Sequence, residues 1–100
     1  MERFAEPALL LLLRERPAHG AELLERLPEL TGDQRVEMGN LYRLLRALEE
    51  EGLVTSEWSD GKRTYAIADA GLRLLDDWVA ALRHAQSRTE HFIERYEEGR

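Results

Sequence analysis

The chain has 100 residues, 43% hydrophobic and 34% charged, which predicts one globular domain with a single core, too short for two and too apolar for a disordered segment. It contains no cysteine, which excludes disulfide frameworks, thiolate zinc sites and cysteine nucleophiles. Fourteen basic residues face twenty acidic ones for a net charge of −6, and no third of the chain is a basic tail, so any DNA-binding face must be a local cluster on an acidic molecule.

The longest apolar run, Pro7 to Leu13, lies between Glu6 and Arg14 and falls far short of the roughly 20 residues of a membrane span. Met1-Glu2-Arg3 lacks the basic region and cleavage site of a secretory signal, so a cytoplasmic location is expected. Pro7 to Arg16 reads as a first helix, with Pro17 just past its end. Ala8 and Leu9 to Leu13 make it apolar all round. Such a helix is covered on more than one side, and a second subunit is the expected second cover.

Ala18 to Leu27 reads as an amphipathic second helix ended by Pro28, with a turn at Thr31-Gly32-Asp33. A third helix is predicted to start at Asn40 as its N-cap. Leu41, Leu44, Leu45 and Leu48 form its core face, and Gly52 stands where a left-handed C-terminal cap belongs. Leu53 to Trp58 and Lys62 to Ile67, separated around Asp60-Gly61, read as a β-hairpin. The last helix runs from Asp69 to Glu98 without proline. Leu75, Trp78, Leu82, Ala85, Thr89, Phe92 and Tyr96 alternate spacings of three and four along it, a heptad-like seam expected to pair with a second copy.

The predicted fold is mainly α with a small β-hairpin: a winged helix-turn-helix plus a long C-terminal dimerisation helix. Residues 1–67 would be the DNA-binding region and residues 68–100 the dimerisation helix, within one structural domain. Tyr42, Arg43 and Arg46 lie off the leucine face of the third helix, where they can reach base edges or phosphates. The bland alternative is a solvated face whose arginines pair with Glu49 or Glu50, worth tenths of a kcal/mol each. Lys62 and Arg63 at the hairpin are either a phosphate clamp or two charges on an exposed tip. Arg35, in the loop before the third helix, is a further phosphate candidate, and His19, at the entry to the second helix, could donate to a phosphate or cap a turn.

His84 and His91 share a helix face without the carboxylates a metal site would add, so no metal is expected. Asp76 and Asp77 are adjacent and point apart, which makes no acid–base pair. No phosphate-cradling glycine loop or nucleophile–base constellation is visible, so the chain is expected to be no enzyme and to need no cofactor. Leu9, Leu12, Leu75, Trp78, Leu82, Phe92 and Tyr96 are the candidate dimerisation residues.

Pro17-Ala18-His19-Gly20, the run from Gly39-Asn40-Leu41-Tyr42 to Glu51-Gly52-Leu53-Val54, Lys62-Arg63-Thr64-Tyr65 and Ala68-Asp69-Ala70-Gly71 together resemble the PadR family of transcriptional regulators, over roughly residues 8 to 75. The sequence departs from that pattern at Met38 and Arg43, where the family often has proline. It departs also at Asn40 and Ala68, where threonine is frequent, and at Ala21, where tyrosine is usual; Asn40 and Asp69 would cap in place of the threonines. The resemblance implies a dimeric repressor that binds double-stranded DNA at a near-palindromic operator. It also permits release by a small aromatic or drug-like ligand in a pocket of Trp78, Phe92 and Tyr96. The rival from another class is a winged-helix protein-interaction module without sequence-specific DNA binding, which the acidic charge would suit.

Overall fold

The computed structural model describes residues 5–32 and 36–99. The first helix, α1, spans Ala5–Glu15 and carries Pro7 in its first turn, where a missing N–H leaves no hydrogen bond unmade. Ala8, Leu9, Leu10, Leu12 and Leu13 are all buried because α1 runs through the middle of the domain, packed against α2 (Gly20–Arg26), α3 (Pro28–Thr31), β3 (Lys62–Ile67) and α5 (Asp69–Glu98). The second cover expected from another subunit is therefore supplied by the chain itself. Leu9 at 0%, Leu12 at 2% and Leu75 at 5% exposure have no surface left for a partner, which removes these three from the candidate dimer contacts.

The segment read as one helix from Ala18 to Leu27 divides. Ala18–His19 forms a two-residue strand, β1, paired antiparallel with β3 (Ala18 opposite Tyr65, His19 opposite Thr64). Helix α2 starts only at Gly20. Pro28 ends it and at the same time opens the short α3 from the first helical position, which its fixed φ favours.

Helix α4 spans Met38–Glu50, and its N-cap is Glu37, three residues before the expected Asn40, without a side-chain bond. The Leu41 N–H donates to the Glu37 carbonyl at 2.9 Å. Val36 and Leu41 occupy the two positions of a hydrophobic staple and both join the core, an apolar anchor that outweighs the capping preference of Asn40. The other end is as expected. Gly52 has φ +78, its N–H donates to the Glu49 carbonyl at 3.0 Å, and the Leu53 N–H reaches back to Leu48 at 2.9 Å, the paired bonds of a Schellman motif.

Strands β2 (Val54–Ser59) and β3 pair antiparallel from Val54–Ile67 to Ser59–Lys62. Asp60 and Gly61 both have positive φ, 52 and 75, as a two-residue type I′ turn requires; glycine adopts that geometry without steric cost. The sheet order is β1-β3-β2. Ala68, whose side chain makes no bond, holds the N-cap position of α5, and Asp69 is its first helical residue rather than its cap. Only Gly71 and Leu75 of α5 are buried, and from Val79 to Gly99 every residue is exposed. The molecule is accordingly elongated, 61 × 27 × 19 Å. Among the described residues no helix is long and apolar enough to cross a membrane.

Candidate nucleic-acid interface

Helical spacing sorts the side chains of α4 into distinct faces. Leu41, Leu45 and Leu48 are buried. Tyr42, Arg46 and Glu49, at i, i+4 and i+7, form a second stripe beside them. Asn40 and Arg43 are exposed but do not line the groove into which that stripe faces. The hairpin supplies the opposite wall by its period of two: Ser56 stands opposite Tyr65 and Trp58 opposite Arg63, and residues two apart along a strand share a face.

Between the two walls lies a groove of about 540 Å³ bordered by Tyr42, Arg46, Trp58, Lys62, Arg63 and Tyr65, with His19, Gly20, Ala21, Glu49 and Gly61 completing it. Among the described residues its charged groups are three cations, Arg46, Lys62 and Arg63, and one carboxylate, Glu49, a local positive excess on a chain whose net charge is −6. Tyr65 is 5% exposed. Burial pushes its phenol above the ordinary value of 10.0, with nearby Arg63 pulling the other way, so it stays a neutral hydroxyl at neutral pH.

His19 caps α2. Its Nδ1 accepts from the Glu22 N–H at 3.3 Å, while the Glu22 carboxylate accepts from the His19 N–H at 3.4 Å, a reciprocal capping box. With Nδ1 accepting, the neutral imidazole carries its proton on Nε2. The ring nitrogen and the Glu22 carboxylate also lie 3.4 Å apart, which is an ion pair only when the ring is protonated. Gly20 keeps the groove open on this side: a Cβ there would stand 2.8 Å from Cε1 and the hydroxyl oxygen of Tyr42, so any larger residue would push that ring aside.

Arg63 is held on the wing rather than free. Its guanidinium lies over the Trp58 ring at 5.1 Å, a cation–π arrangement. Its Nη1 donates to the Ser56 hydroxyl at 3.4 Å and stands 3.9 Å from Oε1 of Glu49. Ser56 in turn donates to Oε2 of Glu49 at 2.7 Å.

The structure thus brings together five of the predicted site residues, His19, Tyr42, Arg46, Lys62 and Arg63, and leaves Asn40 and Arg43 on the neighbouring exposed surface. Arg35, and Asp33 of the predicted turn, lie outside the described residues. Sequence reasoning missed Trp58, Ser56 and Tyr65 as parts of the groove; the period of two along each strand was the available signal. On α5, Phe92 and Tyr96 are four residues apart on one exposed face. Trp78 lies about 21 Å from Phe92 along the helix, at ~1.5 Å per residue, so one chain alone forms no pocket of the three. Among the described residues no cluster of potential metal ligands occurs.

Helices α2, α3 and α4 followed by the β2–β3 hairpin define a winged helix-turn-helix protein. The Transcriptional regulator PadR-like family matches residues 9–77, and the chain belongs to that family, one of regulators and not of enzymes. A transcriptional regulator from Thermoplasma acidophilum is 33% identical with a TM-score of 0.75, over 91% of each chain. A PadR family transcription regulator from Clostridium difficile R20291 shares the fold with a TM-score of 0.80 at 17% identity, over 90% of this chain and 98% of that one. Bacillus subtilis PadR, solved in complex with operator DNA, is 28% identical with a TM-score of 0.65; the match covers 74% of this chain and 45% of that one. A comparison with curated proteins found no match.

Proposed function

We propose that this chain is a homodimeric repressor that binds double-stranded DNA at a near-palindromic site. The observation that carries the proposal is the convergence of Tyr42, Arg46, Lys62 and Arg63 on one groove between α4 and the wing, a local cationic face on an otherwise acidic molecule. The operator complex of the Bacillus subtilis relative supports the same use of the fold here. Asn40 and Arg43, exposed in the first half of α4, would meet base edges in the major groove, while Lys62 and Arg63 hold flanking phosphate and His19 offers its Nε2–H to another. Two copies paired through Trp78, Leu82, Phe92 and Tyr96 of α5 would present their recognition helices about 34 Å apart, one helical turn of DNA. A small aromatic effector lodged among Trp78, Phe92 and Tyr96 of the paired helices would alter that spacing and release the DNA.

Fluorescence anisotropy with the DNA upstream of the chain's own gene tests the proposal, at several salt concentrations and with Arg43→Ala/Arg46→Ala beside the wild type. Tight binding that competitor DNA does not erase, that falls steeply with salt and is lost in the double variant, is the expected result. Weak binding indifferent to sequence and to both arginines would overturn it in favour of a protein-interaction module.

A further inference from the structure

Arg63, Ser56 and Glu49 make an arrangement that the DNA-binding face does not need for folding. Val54, Leu48 and Tyr65 already fix the hairpin against α4 through the core. Outside that core, the Glu49 carboxylate receives the Ser56 hydroxyl at 2.7 Å and faces the Arg63 guanidinium at 3.9 Å. Arg63 is kept in position from below by the Trp58 ring at 5.1 Å and from the side by Ser56 at 3.4 Å. A guanidinium 3.9 Å from an oxyanion that a neighbouring hydroxyl bonds, with an aromatic ring against the cation, makes an anion site. Here the anion is supplied by the protein. The site is open to solvent, since the Arg63 and Glu49 side chains are 42% and 34% exposed.

Resting on the DNA-binding reading above, we propose that Arg63, Ser56 and Trp58 form a phosphate subsite on the wing, and that Glu49 occupies it as an internal counter-anion which a DNA backbone phosphate must replace. Glu49 thereby weakens binding to any duplex by the cost of that replacement, and a tight complex then depends on the further contacts made by the exposed face of α4.

The exchange has a signature in salt dependence. A phosphate that meets a free arginine releases about 0.9 of a condensed cation and adds that much to the slope of log K against log salt. A phosphate that displaces Glu49 leaves the freed carboxylate's negative charge beside the duplex, which offsets the charge of Arg63 and reduces the net cation release at this contact.

The test compares wild type, Glu49→Gln, Arg63→Ala, the double variant and Glu50→Gln on a mixed-sequence duplex of about three helical turns, by anisotropy across a salt series. Glu50 is the exposed neighbour that does not line the groove and controls for the loss of one negative charge. Glu49→Gln is expected to bind this duplex about fivefold tighter than Glu50→Gln and to steepen the salt slope by about one. Both effects should vanish in the Arg63→Ala background, the non-additivity that marks a direct coupling. Equal behaviour of Glu49→Gln and Glu50→Gln, or additivity with Arg63→Ala, would overturn the subsite while leaving the DNA-binding reading standing. No binding by wild type and by Glu49→Gln alike, at low salt, would overturn both.

Discussion

Gly71 and Gly39 show how one residue type serves opposite ends at the scale of a single side chain. At Gly71 a Cβ would lie 2.2 Å from the backbone oxygen of Leu53 and 2.7 Å from Cγ1 of Ile67. That oxygen is already committed, accepting the Ala68 N–H at 2.9 Å, so it cannot retreat without breaking the bond that seats α5 on the sheet. Gly39 has nothing within 4 Å of the place its Cβ would take and lies inside α4. Gly71→Ala is therefore expected to destabilise by about 2 kcal/mol or more through overpacking, whereas Gly39→Ala should stabilise by about 0.5–1 kcal/mol by reducing the freedom of the unfolded chain. Urea denaturation of the two variants measures both. Equal effects would mean that α5 shifts freely on the sheet.

Helix starts, at the scale of elements, separate what local sequence signals dictate from what distant packing decides. The hairpin was legible because Asp60-Gly61 is a local turn instruction, and α5 because nothing between Asp69 and Glu98 interrupts it. Strand β1 was not legible: two residues carry no period, and Ala18–His19 is extended only because β3 lies alongside. The same distance in sequence hid half of the groove. Tyr42 and Arg46 follow from the helical period of α4, but the meeting of Glu49 with Ser56 and Arg63 depends on how the hairpin is set against that helix. The start of α2 was hidden for another reason, since histidine is not among the usual capping residues, although Glu22 stood at the position a capping box requires. Substitution separates its capping from any role in binding. His19→Ala should cost about 1 kcal/mol by leaving the Glu22 N–H unpaired, and His19→Asn should recover most of it, because asparagine is a strong N-cap. Thermal or urea melts of the pair check this; identical losses would mean that the imidazole stabilises by packing and not by its bond.

At the scale of the whole molecule, α5 is the element that a single chain leaves unfinished. Phe92 is 74% and Tyr96 67% exposed, with Val79, Leu82 and Ile93 also uncovered, and an apolar stripe of this length on a projecting helix is what a second copy would bury. The polar residue in its middle does not oppose pairing. The Thr89 hydroxyl donates to the Ala85 carbonyl at 2.9 Å within its own helix, so enclosing it strands no hydrogen-bonding group. With Leu9, Leu12 and Leu75 enclosed within the single chain, α5 beyond the core is left to carry the association. Phe92→Glu/Tyr96→Glu should therefore turn a dimer into a monomer in sedimentation at micromolar concentration without lowering the stability of the winged helix, whose core these residues do not touch. Its affinity for a two-half-site duplex should fall by about a hundredfold or more, the loss of tethering two sites together, while affinity for an isolated half-site stays as it was. A wild-type chain that sediments as a monomer, or a double variant that keeps its two-site affinity, would sink pairing through α5.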